Sequence, residues 1–183
     1  IYFSRGNDPD IHRERIELGE RLAPEVLERL GDDVHNAVFS FVPNTAETAA
    51  EGLARAATKL VRQQHADQLW NDLNGGTAKR EQLDALVEPT IRVERLAHKD
   101  QRMRTFIASD ATRRDLVLHV YDVTRDLVPP GSTLVMLDDS IVRGTTLRES
   151  IVAILDRLEP ARILFVSSAP QIRYPDCYGI DMS

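Results

Sequence analysis

One cysteine among 183 residues, Cys177, leaves no partner for an internal disulfide and no set of thiolates for a metal centre. A reducing, cytoplasmic setting is the expectation. Positive charge is also in short supply. With 23 Lys and Arg against 29 Asp and Glu, the net charge is −6, the wrong sign for non-specific attraction to nucleic acid. No apolar run approaches the ~18 residues of a membrane span, and no basic stretch leading into an apolar core opens the chain, so neither membrane nor export is expected. The glycine-rich GxxxxGK loop and the GxGxxG fingerprint are both missing, which removes two common nucleotide-binding arrangements. His12, His35, His65, His98 and His119 are scattered without the spacing of metal ligands. The chain carries no internal repeat and no low-complexity segment.

What is present suits one globular domain over 1–183, at 42% hydrophobic and 28% charged residues. The opening "IYFSRG" lacks Met and reads as a strand already under way, so a piece of a longer chain is expected. "NDPD" offers capping residues and a proline for a first helical turn. "IHRERIELGERLAPEVLERLG" then has helical spacing, with Gly31 to close it and Pro24 to kink or split it. "NAVFSFVP", residues 36–43, reads as a buried strand halted by proline. "NTAETAAEGLARAATKLVRQQ" reads as a helix capped by Asn44 or Thr45. Between residues 65 and 90 an Asn/Gly turn precedes a short amphipathic helix, "AKREQLDALV". "TIRVERL" reads as a strand and "AHKDQRMRTFIASDATRRD" as a polar, basic loop suited to a lid. "LVLHVYDVTRDLV" fits either a strand or a short helix. "TLVMLDDSIVRGTTLRESIVAIL" reads as strand, acidic turn and helix to about Leu158, and "ARILFVSSAP" as a further buried strand. Strands alternating with helices predict an α/β fold with a largely parallel sheet.

The acidic turn is the most informative segment. Asp138 and Asp139 end an apolar strand, where adjacent carboxylates repel unless a diol or a cation compensates them. Ser140, Arg143, Gly144, Thr145 and Thr146 follow and lead into a helix N-terminus, whose free amides and partial positive charge suit a phosphate. A phosphorylated ribose with a magnesium ion satisfies both ends. The same residues would also serve as a solvated turn and a plain N-cap.

"LVMLDDSIVRGTT" resembles the phosphoribosyl pyrophosphate (PRPP) motif of the type I phosphoribosyltransferases. Together with "SSAPQIRYPDCYGIDM" it is similar, more narrowly, to the phosphoribosyltransferase domain of the amidophosphoribosyltransferases. The resemblance implies the type I, Rossmann-like fold, with helices flanking a largely parallel sheet and a flexible lid loop. It implies that Asp138 and Asp139 hold the ribose hydroxyls and help bind Mg2+, while Ser140 to Thr146 cradle the 5-phosphate. "VPNTAETAA" resembles the family's pyrophosphate loop: Pro43 and Thr45 match, with Thr45 a further metal contact, whereas Asn44 and Ala46 depart from the pattern. "HKDQRMRTFI" resembles the lid, and Lys99 and Arg104 carry over as catalytic pyrophosphate contacts. Arg173 and Tyr174 belong to the diagnostic block without an assigned role, and Cys177 reads as a packed small residue.

The reaction implied is attack of ammonia on C1 of PRPP, giving 5-phosphoribosylamine and pyrophosphate in the first step of purine synthesis. In the family an N-terminal glutaminase domain supplies the ammonia, and nothing here corresponds to it, so ammonia-dependent activity at best is expected of this chain. Purine nucleotides as inhibitors and a homo-oligomeric state are expected by the same resemblance. An iron–sulfur cluster, carried by some members, is not expected on a single cysteine. Two other readings share the PRPP turn: a salvage phosphoribosyltransferase that accepts a nucleobase, and a PRPP- or nucleotide-sensing module without catalysis.

Overall fold

A computed structural model of the chain describes residues 6–43, 45–88, 91–99, 121–141 and 151–170. Its first helix, α1 (Pro9–Leu30), begins where the Asp8 carboxylate accepts from the Asp10 and Ile11 amides at 2.8 and 3.2 Å, with Pro9 at the first helical position. Gly31, at φ 54°, ends it. Pro24 does not split α1, one of the two outcomes expected of it: the helix runs unbroken from Pro9 to Leu30. Ala23 and Val26 on either side are buried against the core, and that packing outweighs the missing backbone hydrogen bond.

A 3-10 turn, Gly31–Asn36, leads into β1 (Ala37–Phe41), every residue of which is buried. Helix α2 (Glu47–Gly75) follows, capped by Ala46 without a side-chain hydrogen bond, so Thr45 does not cap it. It runs past Gln64, where the sequence suggested its end, and stops only at Gly76 in the left-handed conformation. Then come α3 (Arg80–Val87), β2 (Arg92–Val93), β3 (Ala97–Lys99), β4 (Tyr121–Val123) and a 3-10 turn over Arg125–Leu127. The remaining elements are β5 (Thr133–Asp138), α4 (Val152–Leu155) extended by a 3-10 turn to Leu158, and β6 (Arg162–Ser167).

Of the "TIRVERL" segment only Arg92–Val93 is strand. Glu94 still donates to the Phe39 carbonyl at 2.9 Å, but the Leu96 amide is taken by the buried Ser40 hydroxyl at 3.3 Å. This turns the chain onto the far face, where Leu96 and Ala97 are buried. The segment read as a polar loop accordingly starts as β3, paired antiparallel with β4. The ambiguous stretch before Pro129 holds both a strand and a single helical turn.

The main sheet has the order β2-β1-β5-β6, all parallel, with Phe41 opposite Leu137 and Asp138 opposite Ser167. Ala37, Phe39, Phe41, Val135 and Leu137 face α1 and α2, whereas Val38, Leu134 and Met136 face α4 and β3. At the opposite edge Asp33 accepts hydrogen bonds from Thr133 and Asn36 and lies 3.8 Å from Arg162, joining the starts of β5 and β6. The Thr133 hydroxyl, aided by Asn36 and Arg162, holds the Asp33 carboxyl below the usual carboxylate range.

Helices α1 and α2 cross where neither can carry a side chain. A Cβ on Gly19 would lie 1.8 Å from the Ala49 carbonyl oxygen, and one on Gly52 would lie 2.1 Å from that of Ile16. Both obstacles are backbone, so relief requires the helices to separate. Gly19→Ala or Gly52→Ala is expected to lower unfolding free energy by about 3 kcal/mol in urea titrations, despite alanine's better helix propensity; an unchanged or higher midpoint would refute the crossing. Asp33 gives a second prediction. Its depressed folded value means that its stabilisation is present above the ordinary Asp range and lost as pH falls through the folded value. Stability measured across that acid range should fall less steeply in Asp33→Asn than in the parent.

Candidate functional site

Strands β1 and β5 lie side by side, yet the chain leaves them in opposite directions. After β1 it crosses to α2 on one face of the sheet; α4, the next described element after β5, packs on the other. Such a divergence opens a crevice beyond the carboxyl ends of the two strands, where open α/β sheets place their ligands. The Val42 amide donates to the Leu137 carbonyl at 2.8 Å, so the chain passing Pro43 runs alongside the chain entering Asp138.

Two predicted segments are thus brought together by pairing across about a hundred residues of sequence. Pro43 is buried just beyond β1, and Thr45 is exposed before α2. Asp138 is the last residue of β5, and Asp139 and Ser140 follow it half-buried. The Asp138 carboxylate accepts from the Asp139 amide at 2.8 Å, and the Ser140 hydroxyl reaches the Asp139 carboxylate at 3.4 Å. Lys99 closes β3, which starts at Ala97, a residue of the same buried cluster as Val42. Asn44, Arg104, Arg143, Gly144, Thr145 and Thr146 lie outside the described residues, as do Arg173, Tyr174 and Cys177.

Burial pushes the Asp138 carboxyl up to about 6; the Asp139 amide works against this, and the neighbouring Asp139 charge adds to it. Among the described residues no basic side chain pairs with either carboxylate, a condition that a cation or a hydroxyl-rich ligand relieves. No cluster of three or more His, Cys, Asp or Glu side chains suited to a metal occurs among the described residues. The donor set therefore fits a hard cation bound through one or two carboxylates and completed by ligand oxygens and water, as magnesium prefers.

Two contributors escaped the sequence reading. Ser168 donates its amide to the Asp138 carbonyl at 3.0 Å and its hydroxyl to the Asp139 carbonyl at 3.3 Å, bracing the acidic turn from β6. Arg95 forks onto Glu47 in the first turn of α2, with both nitrogen–oxygen distances 3.3 Å, and its guanidinium sits 5.5 Å from the centre of the Phe41 ring. Ser168 belonged to a recognisable block, but its partner strand was not legible. Arg95 carried no local signal, since it stood inside a segment read as a regular strand.

No family model matches the chain. Curated proteins do. A protein of Haemophilus influenzae is 27% identical over 187 residues and one of Saccharomyces cerevisiae is 29% identical over 192 residues, each match covering the whole of this chain. Those relatives are amidophosphoribosyltransferases. The chain spans 31% and 30% of their lengths, respectively. Among solved structures, the glutamine PRPP amidotransferase of B. subtilis, in complex with ADP and GMP, superposes with a TM-score of 0.59. It is 30% identical, and the match covers 97% of this chain and 32% of that one. A second, described as the allosteric regulatory enzyme of purine biosynthesis, gives 0.59 at 29% identity over 94% of this chain and 29% of its own. The parallel sheet with flanking helices is accordingly the α/β type I phosphoribosyltransferase fold of the amidophosphoribosyltransferases.

The raised Asp138 value has a definite sign in stability. The folded state holds a proton that the unfolded state has already released, so stability falls as pH rises from about 4 to about 6. Asp138→Asn should therefore be more stable than the parent by about 1 to 2 kcal/mol at pH 7.5, allowing for partial exposure, and nearly equal to it at pH 4. Equal gaps at the two pH values in denaturant titrations would count against a desolvated Asp138.

Proposed function

We propose that this chain is the phosphoribosyltransferase part of an amidophosphoribosyltransferase and binds PRPP across the ends of β1 and β5. The observation that carries the reading is the half-buried, under-compensated Asp138–Asp139 pair at the strand divergence, followed by the hydroxyl-rich turn. The similarity to part of the amidophosphoribosyltransferases, which extends over the whole of this chain, supports it independently.

In this reading the carboxylates of Asp138 and Asp139 accept hydrogen bonds from the ribose hydroxyls. Ser140, Arg143, Gly144, Thr145 and Thr146 enclose the 5-phosphate, where backbone amides and hydroxyls are the chemically suitable donors. Pro43, Asn44 and Thr45 form the pyrophosphate side, next to an α2 N-terminus whose first amides receive no side-chain cap. Asp138, Asp139 and Thr45 are the residues that would hold Mg2+, which supplies charge neutralisation for the diphosphate when bound. Ammonia forms the new bond to C1 as the bond from C1 to the pyrophosphate oxygen breaks, and that oxygen takes the electron pair. Lys99 and Arg104 stabilise the charge growing there, and closure of their loop keeps out water, which competes with ammonia for C1.

Calorimetry with PRPP, with and without Mg2+, tests the site on this chain and on the Asp138→Asn/Asp139→Asn double variant. The expected outcome is Mg2+-dependent binding that weakens by about 100-fold in the double variant, equivalent to about 2.7 kcal/mol. Pyrophosphate release on adding ammonium tests the chemistry. Binding without release would favour the sensing module, and no binding by the parent chain would overturn the proposal.

A further inference from the structure

Helix α2 opens with an acid at the end where the proposed function calls for a diphosphate. Glu47 is its first residue, two positions beyond Thr45 and four beyond Pro43, and the helix start carries no side-chain cap. A carboxylate in a first helical turn is attracted by the free amides and partial positive charge there, and it competes for them with any other anion. Unrestrained, Glu47 would oppose a diphosphate bound along Pro43, Asn44 and Thr45.

Arg95 restrains it. The two terminal nitrogens of the guanidinium donate to the two oxygens of the Glu47 carboxylate, each at 3.3 Å, a fork that sets orientation as well as distance. The same guanidinium lies 5.5 Å from the centre of the ring of Phe41, the last residue of β1. On either side of Arg95 the backbone is anchored to β1: the Glu94 amide donates to the Phe39 carbonyl at 2.9 Å, and the Leu96 amide to the buried Ser40 hydroxyl at 3.3 Å. Arg95 therefore reaches α2 from a fixed root. The carboxylate it holds lies on the β2 side of α2, in a cleft that Glu47 lines together with Phe41, Ala50, Ala54 and Val93.

For stability alone such a pair matters little, because the Arg95 and Glu47 side chains are 47% and 50% exposed and solvent screens them. Its place in the fold gives it a different use. The pair stands where the segment after β1 enters α2, and the chain that carries Arg95 continues into β3 and Lys99.

We propose, on the PRPP-binding reading above, that Arg95 is a positioning residue of the pyrophosphate side: it holds and neutralises the Glu47 carboxylate, so that the start of α2 receives the diphosphate without repulsion. Arg95 acts through Glu47 and touches no substrate atom. Calorimetry in saturating Mg2+ tests this with PRPP and with ribose 5-phosphate, which shares the sugar and the 5-phosphate and lacks the diphosphate. Arg95→Ala is expected to weaken PRPP binding by about fivefold, the order of a charge effect at a helix end, and to change ribose 5-phosphate binding by less than about twofold. Adding Glu47→Gln to Arg95→Ala should bring PRPP affinity back to within about twofold of the parent. Unchanged PRPP affinity in Arg95→Ala would overturn the proposal, and so would equal weakening of both ligands, which marks a merely structural role. A diphosphate-specific loss that Glu47→Gln does not rescue would overturn it as well, since Arg95 would then touch the ligand itself. Failure of the underlying reading is distinguishable: the parent chain would bind no PRPP, and both would fall together.

Discussion

The pairing of β1 with β5 is the constraint on which everything else in this molecule depends. Five consecutive residues of β1 match five of β5 in parallel, and all are buried. A strand buried on both faces must satisfy every amide within the sheet, which is why the runs "AVFSF" and "TLVML" are apolar with only a hydroxyl or two admitted. Ser40 and Thr133 show the condition of admission: each hydroxyl is hydrogen-bonded, one to the Leu96 amide and the other to Asp33. Because α2 packs on one face of the joined strands and α4 on the other, a crevice opens beyond the strand ends.

The crossing of α1 and α2 gives that crevice its firm side. Because Gly19 and Gly52 let backbone meet backbone, α2 lies close against α1 and over the sheet, and the start of α2 stands next to the loop that passes Pro43. Tight packing there has a purpose beyond stability. In the proposed reading the ligand is met by amides at the end of a well-anchored helix, which lose little entropy when a ligand arrives.

The acidic turn concentrates the opposite property. Asp138 is kept in a desolvated position beside a second carboxylate, an arrangement that costs the folded protein free energy near neutral pH. Ser168, reaching over from β6, braces the turn through its backbone carbonyls and not through its carboxylates, so this brace positions the acids and leaves their oxygens to other partners. Local strain of this kind, held by a well-packed frame, is the usual relation between a scaffold and a binding site.

How much of this was legible follows from the range of each interaction. The caps of α1, the buried strands β1 and β5, the turn at Gly76 and the acidic turn were readable because each is decided within a few residues, by capping atoms, apolar runs or backbone freedom; β6, read as a buried strand, lies at the sheet edge with only Val166 buried. The sequence alone determined the alternation of strands and helices, the identity of the acidic turn and the family it resembles, whereas β3 and β4 fell in segments read as a loop or left open. It did not determine that α1 runs through Pro24, that α2 continues past Gln64, or that the strand in "TIRVERL" stops at Val93 and a second sheet begins at Ala97. Those outcomes were decided by burial against distant partners: Ala23 and Val26 in the core, Asp72 bonded to Gln82, and the Leu96 amide claimed by Ser40. Arg95 and Ser168 reached the site in the same way. Contacts between residues far apart in the chain leave no periodicity in sequence, and only the tertiary structure could choose among them.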